Sequence, residues 1–539
     1  MRGNALKMLA GIAVLSMGLS GCGAGGQSSA PKDDIITFGI SEPSNPLVPG
    51  NTNERSGSLV VGMLFSGLVA TKPDGSLVDE AAESVKANED SSRFDVTLKS
   101  GGKFTDGTPV TSESFTKAWS YTANAKNGQL NSSFLSLIQG YDDLQKDGLK
   151  GDEQLSGLKV EDDTHFSISL NKPCSIFPTM LAYGGLAPLP ESFYKDPKAF
   201  GEKPVGNGPY KFKAWKHGES IEVVPNPDYT GYYKPKNDGL TYKVYTDPKS
   251  EYADVQAGNL DVAGDVPATA LRSLMSDKRL TGYSESGPRR LALGIPMDLA
   301  HFSGKEGTLR RRAISLALDR DAICTKIMNG MAEPAKDFSS KVIDGYSDSL
   351  KGNDVLSHDE TKAKELWAQA DAISPFEGQF VLSYSADDTN KDADQAIANE
   401  LKNALGIDVK LNVFATKQEY KSALSDGKLN TAYNDYWGPD YPALENYLAP
   451  VYSTSAYQSG SNRDKYLNPE FDALLDKAAS AASIDEANKT YQQAEEILLR
   501  DLPSIPIYNY NTVGAASKGL KGVQFNWGGD PVLAFITKK

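Results

Sequence analysis

Ten consecutive residues, Tyr433-Asn434-Asp435-Tyr436-Trp437-Gly438-Pro439-Asp440-Tyr441-Pro442, gather the residue types best suited to holding a small molecule. Aromatic rings offer apolar contact area. Gly and Pro interrupt regular structure and let backbone come close to a bound molecule. A carboxylate among such groups can pair with a cation shielded from water. The same spacing also fits a Gly/Pro turn whose aromatics pack into a core. Chemistry of the bond-breaking kind has no such concentration. The four histidines, His165, His217, His301 and His358, are not at metal-ligand spacing with one another or with Cys. The sequence contains no G-x-S-x-G elbow, P-loop or zincin helix, and Gly304-Lys305 lacks the upstream glycine of a phosphate loop. Asp387-Asp388 and Glu89-Asp90 read as solvated loop charges rather than a carboxylate dyad. The lack of such motifs lowers the expectation of catalysis, and no catalytic residue, metal or cofactor is expected.

The elements that must position this stretch are visible nearby. Phe380, Leu382 and Tyr384 alternate as in a strand; Ala393, Ile397, Leu401 and Leu405 then recur on one helical face, and Gly406 stops the helix. Ile407, Val409, Leu411 and Val413 alternate again, which predicts a βαβ crossover with parallel strands. Further strands are expected at Ile35–Phe38, at Phe94/Val96/Leu98 and at Phe166/Ile168/Leu170, with a hairpin pairing Tyr210/Phe212 and Ile221/Val223. After the turn Asp106-Gly107-Thr108-Pro109, Thr111 is placed to cap a helix through Phe115 and Trp119. Ser483 and Glu486 form a capping box for a helix with Ala487, Tyr491, Ala494 and Leu498 on one face. Pro503 and Pro506 end it before a strand at Ile507–Tyr510. There is no internal repeat, and the mixture points to α/β lobes with an additional mixed region.

The chain has 539 residues, 39% apolar and 23% charged, enough for two or three domains with their own cores. A net charge of −14 disfavours nucleic acid and anionic headgroups as partners. Arg2 and Lys7 precede an apolar run from Met8 to Leu19, too short to span a bilayer and laid out like a secretory signal. No later run is long enough to cross a membrane. Leu19-Ser20-Gly21-Cys22 follows the lipobox pattern and resembles a bacterial lipoprotein signal. That resemblance implies a signal at 1–21, a lipidated Cys22, a flexible tether over 22–33, and lipid anchoring on the extracytoplasmic face of the cell membrane as the only membrane attachment. An ordinary secretory signal cut nearby is the alternative. Cys174 and Cys324 are expected as two separate buried thiols, although an oxidising compartment would permit pairing.

Five further segments carry a larger resemblance. They are Leu64-Phe65-Ser66-Gly67-Leu68-Val69 with Pro73-Asp74-Gly75, Gly102 through Thr111 (GKFTDGTPVT), Gly206-Asn207-Gly208-Pro209-Tyr210, Ala257-Gly258-Asn259-Leu260-Asp261 and Ala317-Leu318-Asp319-Arg320. In this order they resemble the oligopeptide/dipeptide-binding cluster of ABC-importer solute-binding proteins (bacterial extracellular solute-binding family 5), from about residue 35 to the C-terminus. The resemblance implies an α/β, two-lobed periplasmic-binding-protein-like fold with mixed sheets, two hinge crossings and an extra inserted domain. Lobe I would be 34–70, 195–293 and 507–539, the insertion 71–194, and lobe II 294–506. The ligand would lie in the interlobe cleft. Peptide binders of the family carry W-x-x-D-Y, which Trp437, Asp440 and Tyr441 match, so Asp440 would pair with the peptide's terminal ammonium. Main-chain atoms of Tyr436 and Gly438 would hold the peptide backbone, and Asn53-Glu54 falls in a first-lobe loop that faces the ligand.

Tripeptide-binding relatives place Arg and His where this chain has Asn434 and, approximately, Asn390, which leaves ligand length open; Lys391 or Lys428 could substitute. The implied role is a monomeric receptor that captures peptides, performs no chemistry and hands them to an ABC permease. An oligosaccharide receptor of the same fold, using Trp437, Tyr436 and Asn434, remains an alternative, as do a peptide sensor and, from another class, an extracytoplasmic hydrolase.

Overall fold

A computed structural model describes residues 34–386, 390–425, 429–459 and 462–538. Cys22, the tether, Asp387, Asp388 and Lys428 lie outside them. Ile35–Ile40 pairs in parallel with Gly239–Val244, which continues through Ser220–Pro225 to Tyr210–Lys216 in a four-stranded sheet. A separate four-stranded antiparallel sheet is built from Ala82–Ala87, Arg93–Leu98, His165–Ser169 and Leu158–Val160. The hairpins and alternating strands expected from the sequence therefore form. So does the helix Ser112–Ala123, whose N-cap Thr111 exchanges hydrogen bonds with Ser114 in a capping box.

The βαβ unit is also present. Phe380–Ser385 and Val409–Phe414 are parallel neighbours around the helix Lys391–Leu405, which ends on Gly406 at φ 71°. Val413 departs from the expected inward face, at 49% exposed, because its strand is the sheet edge. Phe380–Ser385 neighbours Ala432–Trp437 in a six-stranded sheet, beside the long strands Leu280–Gly294 and Ser504–Ser517, with Ala332–Pro334 on the other edge.

Those two long antiparallel strands join the sheets. Val262 bridges Phe38 of the first sheet to Ala516, at one end of the pair, while Arg290–Gly294 at the other end pairs with the strand ending at Trp437. Two sheets connected by two crossing strands give the two-lobed α/β organisation the sequence implied. The strand expected over Ile507–Tyr510 is much longer than its apolar core, and Leu280–Gly294 was not anticipated. The ladder between them loses register from Ser286 to Arg290, at Gly287-Pro288-Arg289, where Pro288 has no N–H to give.

One buried cluster runs from Phe38 and Tyr242 through Phe94 and Phe177 to the helices Pro469–Ala479 and Ile484–Asp501. A second lies under Leu291, Leu382 and Leu401. Cys174 and Cys324 are buried and unbonded, and burial pushes both thiols up to about 12. Among the described residues no helix is long and apolar enough to cross a membrane, and no group of His, Cys, Asp and Glu is placed to hold a metal.

Candidate functional site

The strand Ala432–Trp437 lies between a crossing strand and the βαβ unit, so both its edges are paired. Alternation sends Asn434 and Tyr436 one way and Tyr433, Asp435 and Trp437 the other. On the first face the Asn434 amide donates to Asp394 Oδ1 (2.9 Å) and to the Tyr436 hydroxyl (3.2 Å). Asn390 donates to the same hydroxyl (3.0 Å) and to that of Tyr510, and its carbonyl oxygen accepts from Tyr508 (2.9 Å). Asn434 and Asn390 thus meet on one phenol. On the second face Asp435 faces the fully buried Arg290 (3.2 Å), Arg290 donates to Tyr452 (2.8 Å), and Tyr433 donates to Asp464 (2.8 Å).

Beyond the strand, one residue missed by the sequence reading organises the loop. Asn446, buried in the helix Glu445–Tyr452, accepts the Trp437 indole N–H on its carbonyl (2.8 Å) and the Asp440 N–H on its side-chain oxygen (2.9 Å). Its only sequence signal is an amide in an otherwise largely apolar segment. Tyr441 is fixed by its hydroxyl, which donates to Glu445 (2.7 Å).

Asp440, Tyr441 and Pro442 line a cavity of about 330 Å³. Further lining comes from the helix Arg55–Leu64, from Phe65-Ser66-Gly67, and from Tyr183, Tyr229, Tyr233 and Trp527, whose indole donates to Thr71 (3.0 Å). Thus the Leu64–Val69 motif and the Asp440 loop, far apart in sequence, share one space. Asp440 makes no salt bridge among the described residues. Although the residue is open to solvent on the cavity side, desolvation by the surrounding walls raises its carboxyl above the ordinary aspartate value. Burial together with the Asp440 charge pushes the Tyr183 phenol up to about 12.

Of the residues singled out from the sequence, Asp440 and Tyr441 line the cavity; Asn434, Tyr436, Trp437, Gly438, Asn53 and Glu54 are not among its lining. Trp437 and Tyr436 act as supports through the bonds above. Gly438 is exposed, with a would-be Cβ 3.1 Å from Arg289. Asn53 is exposed, and Glu54 accepts the Gly57 N–H (2.8 Å) as the N-cap of the helix Arg55–Leu64. Their neighbours Thr52 and Arg55 are the lining residues there.

The sequence matches the profile of bacterial extracellular solute-binding proteins, family 5 (Middle), over residues 76–459. It is 28% identical over 470 residues to the dipeptide-binding protein DppE of Bacillus subtilis, covering 85% of this chain and 84% of that one. It is 26% identical over 543 residues to the oligopeptide-binding protein OppA of the same organism, covering 96% and 95%. Among solved structures, the unliganded open form of the periplasmic murein tripeptide-binding protein MppA superposes with a TM-score of 0.83 at 24% identity, over 94% of this chain and 97% of that one. Haemophilus influenzae OppA in complex with RPPGFSPFR gives 0.64 at 23% identity, over 94% and 99%.

Proposed function

Since the chain belongs to the bacterial extracellular solute-binding proteins of family 5, we propose that it is the extracytoplasmic receptor of an ABC importer, capturing oligopeptides at the Asp440 cavity and delivering them unaltered to the membrane permease. The observation that carries this reading is Asp440 itself: a carboxylate on a cavity wall, raised by desolvation and without a cationic partner among the described residues. An acceptor-only group in that setting selects an ammonium. The named relatives DppE and OppA bind dipeptides and oligopeptides, which supports the same class of ligand here. In this reading Asn446 sets the direction of Asp440, Trp437 and Tyr441 frame it, and Tyr436 and Gly438 present main chain to an extended ligand. The lobes assigned from the sequence close over the peptide, with the two crossing strands as hinges. Lipid on Cys22 holds the receptor at the membrane, where it works as a monomer without chemical turnover.

The test compares Asp440→Asn with the unaltered protein against one peptide in free-amine and N-acetylated forms. Calorimetry is expected to show the free-amine peptide weakened by about 2–5 kcal/mol in the variant and the acetylated one hardly changed. Equal losses would remove the ammonium role. A melting-temperature screen against peptide and oligosaccharide pools tests the ligand class, because a ligand that binds only the folded state raises the melting point. A shift with sugars and none with peptides would reverse the assignment.

A further inference from the structure

The cavity carries more negative charge than one terminal ammonium can match. Its charged lining residues are Arg55, Asp530, Glu80 and Asp440. Arg55 is already committed: its guanidinium meets Asp530 at 2.8 Å and donates to the Gly264 carbonyl at 3.2 Å. What remains is Asp440 and Glu80, both on the lining.

Glu80 is only 5% exposed. Its two oxygens accept from the Tyr229 hydroxyl (2.7 Å) and from the Tyr232 N–H (3.0 Å). Both donors are neutral, and no described cation forms a salt bridge with Glu80. Lys99 acts on it only through space, its own ammonium being bound to the Asp79 carbonyl (2.9 Å). Burial raises the Glu80 carboxyl above its ordinary value, so a cation brought beside it would favour its ionised form. Tyr229 and Tyr233, two rings suited to stand against a cation, line the cavity together with Glu80, and Val69 and Met63 offer apolar surface to an aliphatic stem.

We infer that the cavity is built for a peptide whose first residue is basic, with its α-ammonium on Asp440 and its side-chain cation on Glu80. This rests on the peptide-receptor reading and narrows it. A neutral first side chain leaves Glu80 without a counter-charge inside the cavity. An acidic one adds a third carboxylate to a site that holds two. A lysine or arginine side chain closes the charge balance and keeps its stem against the apolar wall.

The alternative is that Glu80 only latches the backbone at Tyr232. The two roles separate in one calorimetric series using Lys-Ala-Ala-Ala, norleucine-Ala-Ala-Ala and Glu-Ala-Ala-Ala. The unaltered protein is expected to bind the lysine peptide about tenfold more tightly than the norleucine peptide, as befits one charged hydrogen bond, and the glutamate peptide most weakly. In Glu80→Gln, which keeps an acceptor for Tyr232, the lysine advantage disappears while norleucine affinity holds. Equal binding of lysine and norleucine peptides by the unaltered protein overturns the inference, as does a variant that keeps the lysine preference or loses both peptides in parallel. Binding of none of the three overturns the receptor reading itself, and this inference with it.

Discussion

Asp440 is held in place by its backbone, which leaves its carboxylate free for a partner. Its N–H is on Asn446, and the shift on its carboxyl comes from desolvation alone. The sign of the pH effect follows. The raised value means that the ionised form, the one that attracts an ammonium, is lost at a higher pH than for an ordinary aspartate. Affinity for a free-amine peptide should therefore fall on acidification before normal carboxylates titrate, whereas an N-acetylated peptide should show a flatter profile. Calorimetry from pH 7 to pH 4 checks this, and Asp440→Asn should flatten the free-amine curve as well. At this scale Asp440 and Tyr441, which line the cavity, were legible because they are local in sequence. Glu80, Tyr229 and Trp527 were not, because nothing in a linear reading brings residues 80, 229 and 527 to the same wall. Nor could spacing tell that Glu54 is occupied as a helix cap.

Among the elements, three of the segments that carried the family resemblance fasten one another, and the other two fasten neighbouring backbone. Asn207 exchanges two hydrogen bonds with the Ser66 backbone (2.9 and 3.0 Å), Gly208 donates to Leu64 (2.8 Å), and Thr105 donates to the Gly206 carbonyl (2.8 Å). Asp261 accepts from the Thr37 N–H (2.7 Å), and Arg320 donates to the carbonyls of Ser315, Leu356 and Pro506. These motifs were readable because tight backbone contact restricts residue type. A methyl at Gly206 would overlap the Leu64 carbonyl, while one at Gly406 would meet nothing within 4 Å and suffer only its positive φ. Gly406→Ala should cost about 1 kcal/mol in urea unfolding. Gly206→Ala should cost more, at the upper end of single substitutions, roughly 3 kcal/mol or above. The crossing strand Leu280–Gly294 escaped notice for a converse reason. Its sequence, LTGYSESGPRRLALG, passes from one sheet to the other and has no single buried face for alternation to record.

For the molecule as a whole, net charge and buried acids set the response to pH. Desolvation lifts Glu251 and Glu400 to about 7, and raises Asp464, Asp337 and Glu495 as well. An acid whose folded value lies above its unfolded one binds protons more readily in the native state. Its contribution to stability is complete below the unfolded value near 4 and is lost as pH rises through the folded value near 7. Lowering the pH from 8 to 5.5 should therefore raise the melting temperature, and a scanning calorimetry series would show no rise from this source if these acids were normal. The two-lobed arrangement was legible only through resemblance, because βαβ periodicity alone does not say how sheets are joined. Trp527 gives the cavity one more property. Of the five indoles it is the one on the cavity wall; Trp119 and Trp367 are sealed in cores, Trp215 lies on His217, and Trp437 is turned onto Asn446. A cargo molecule entering beside Trp527 displaces water from a fluorophore, so occupancy can be followed in the native chain by ultraviolet emission, with no dye attached.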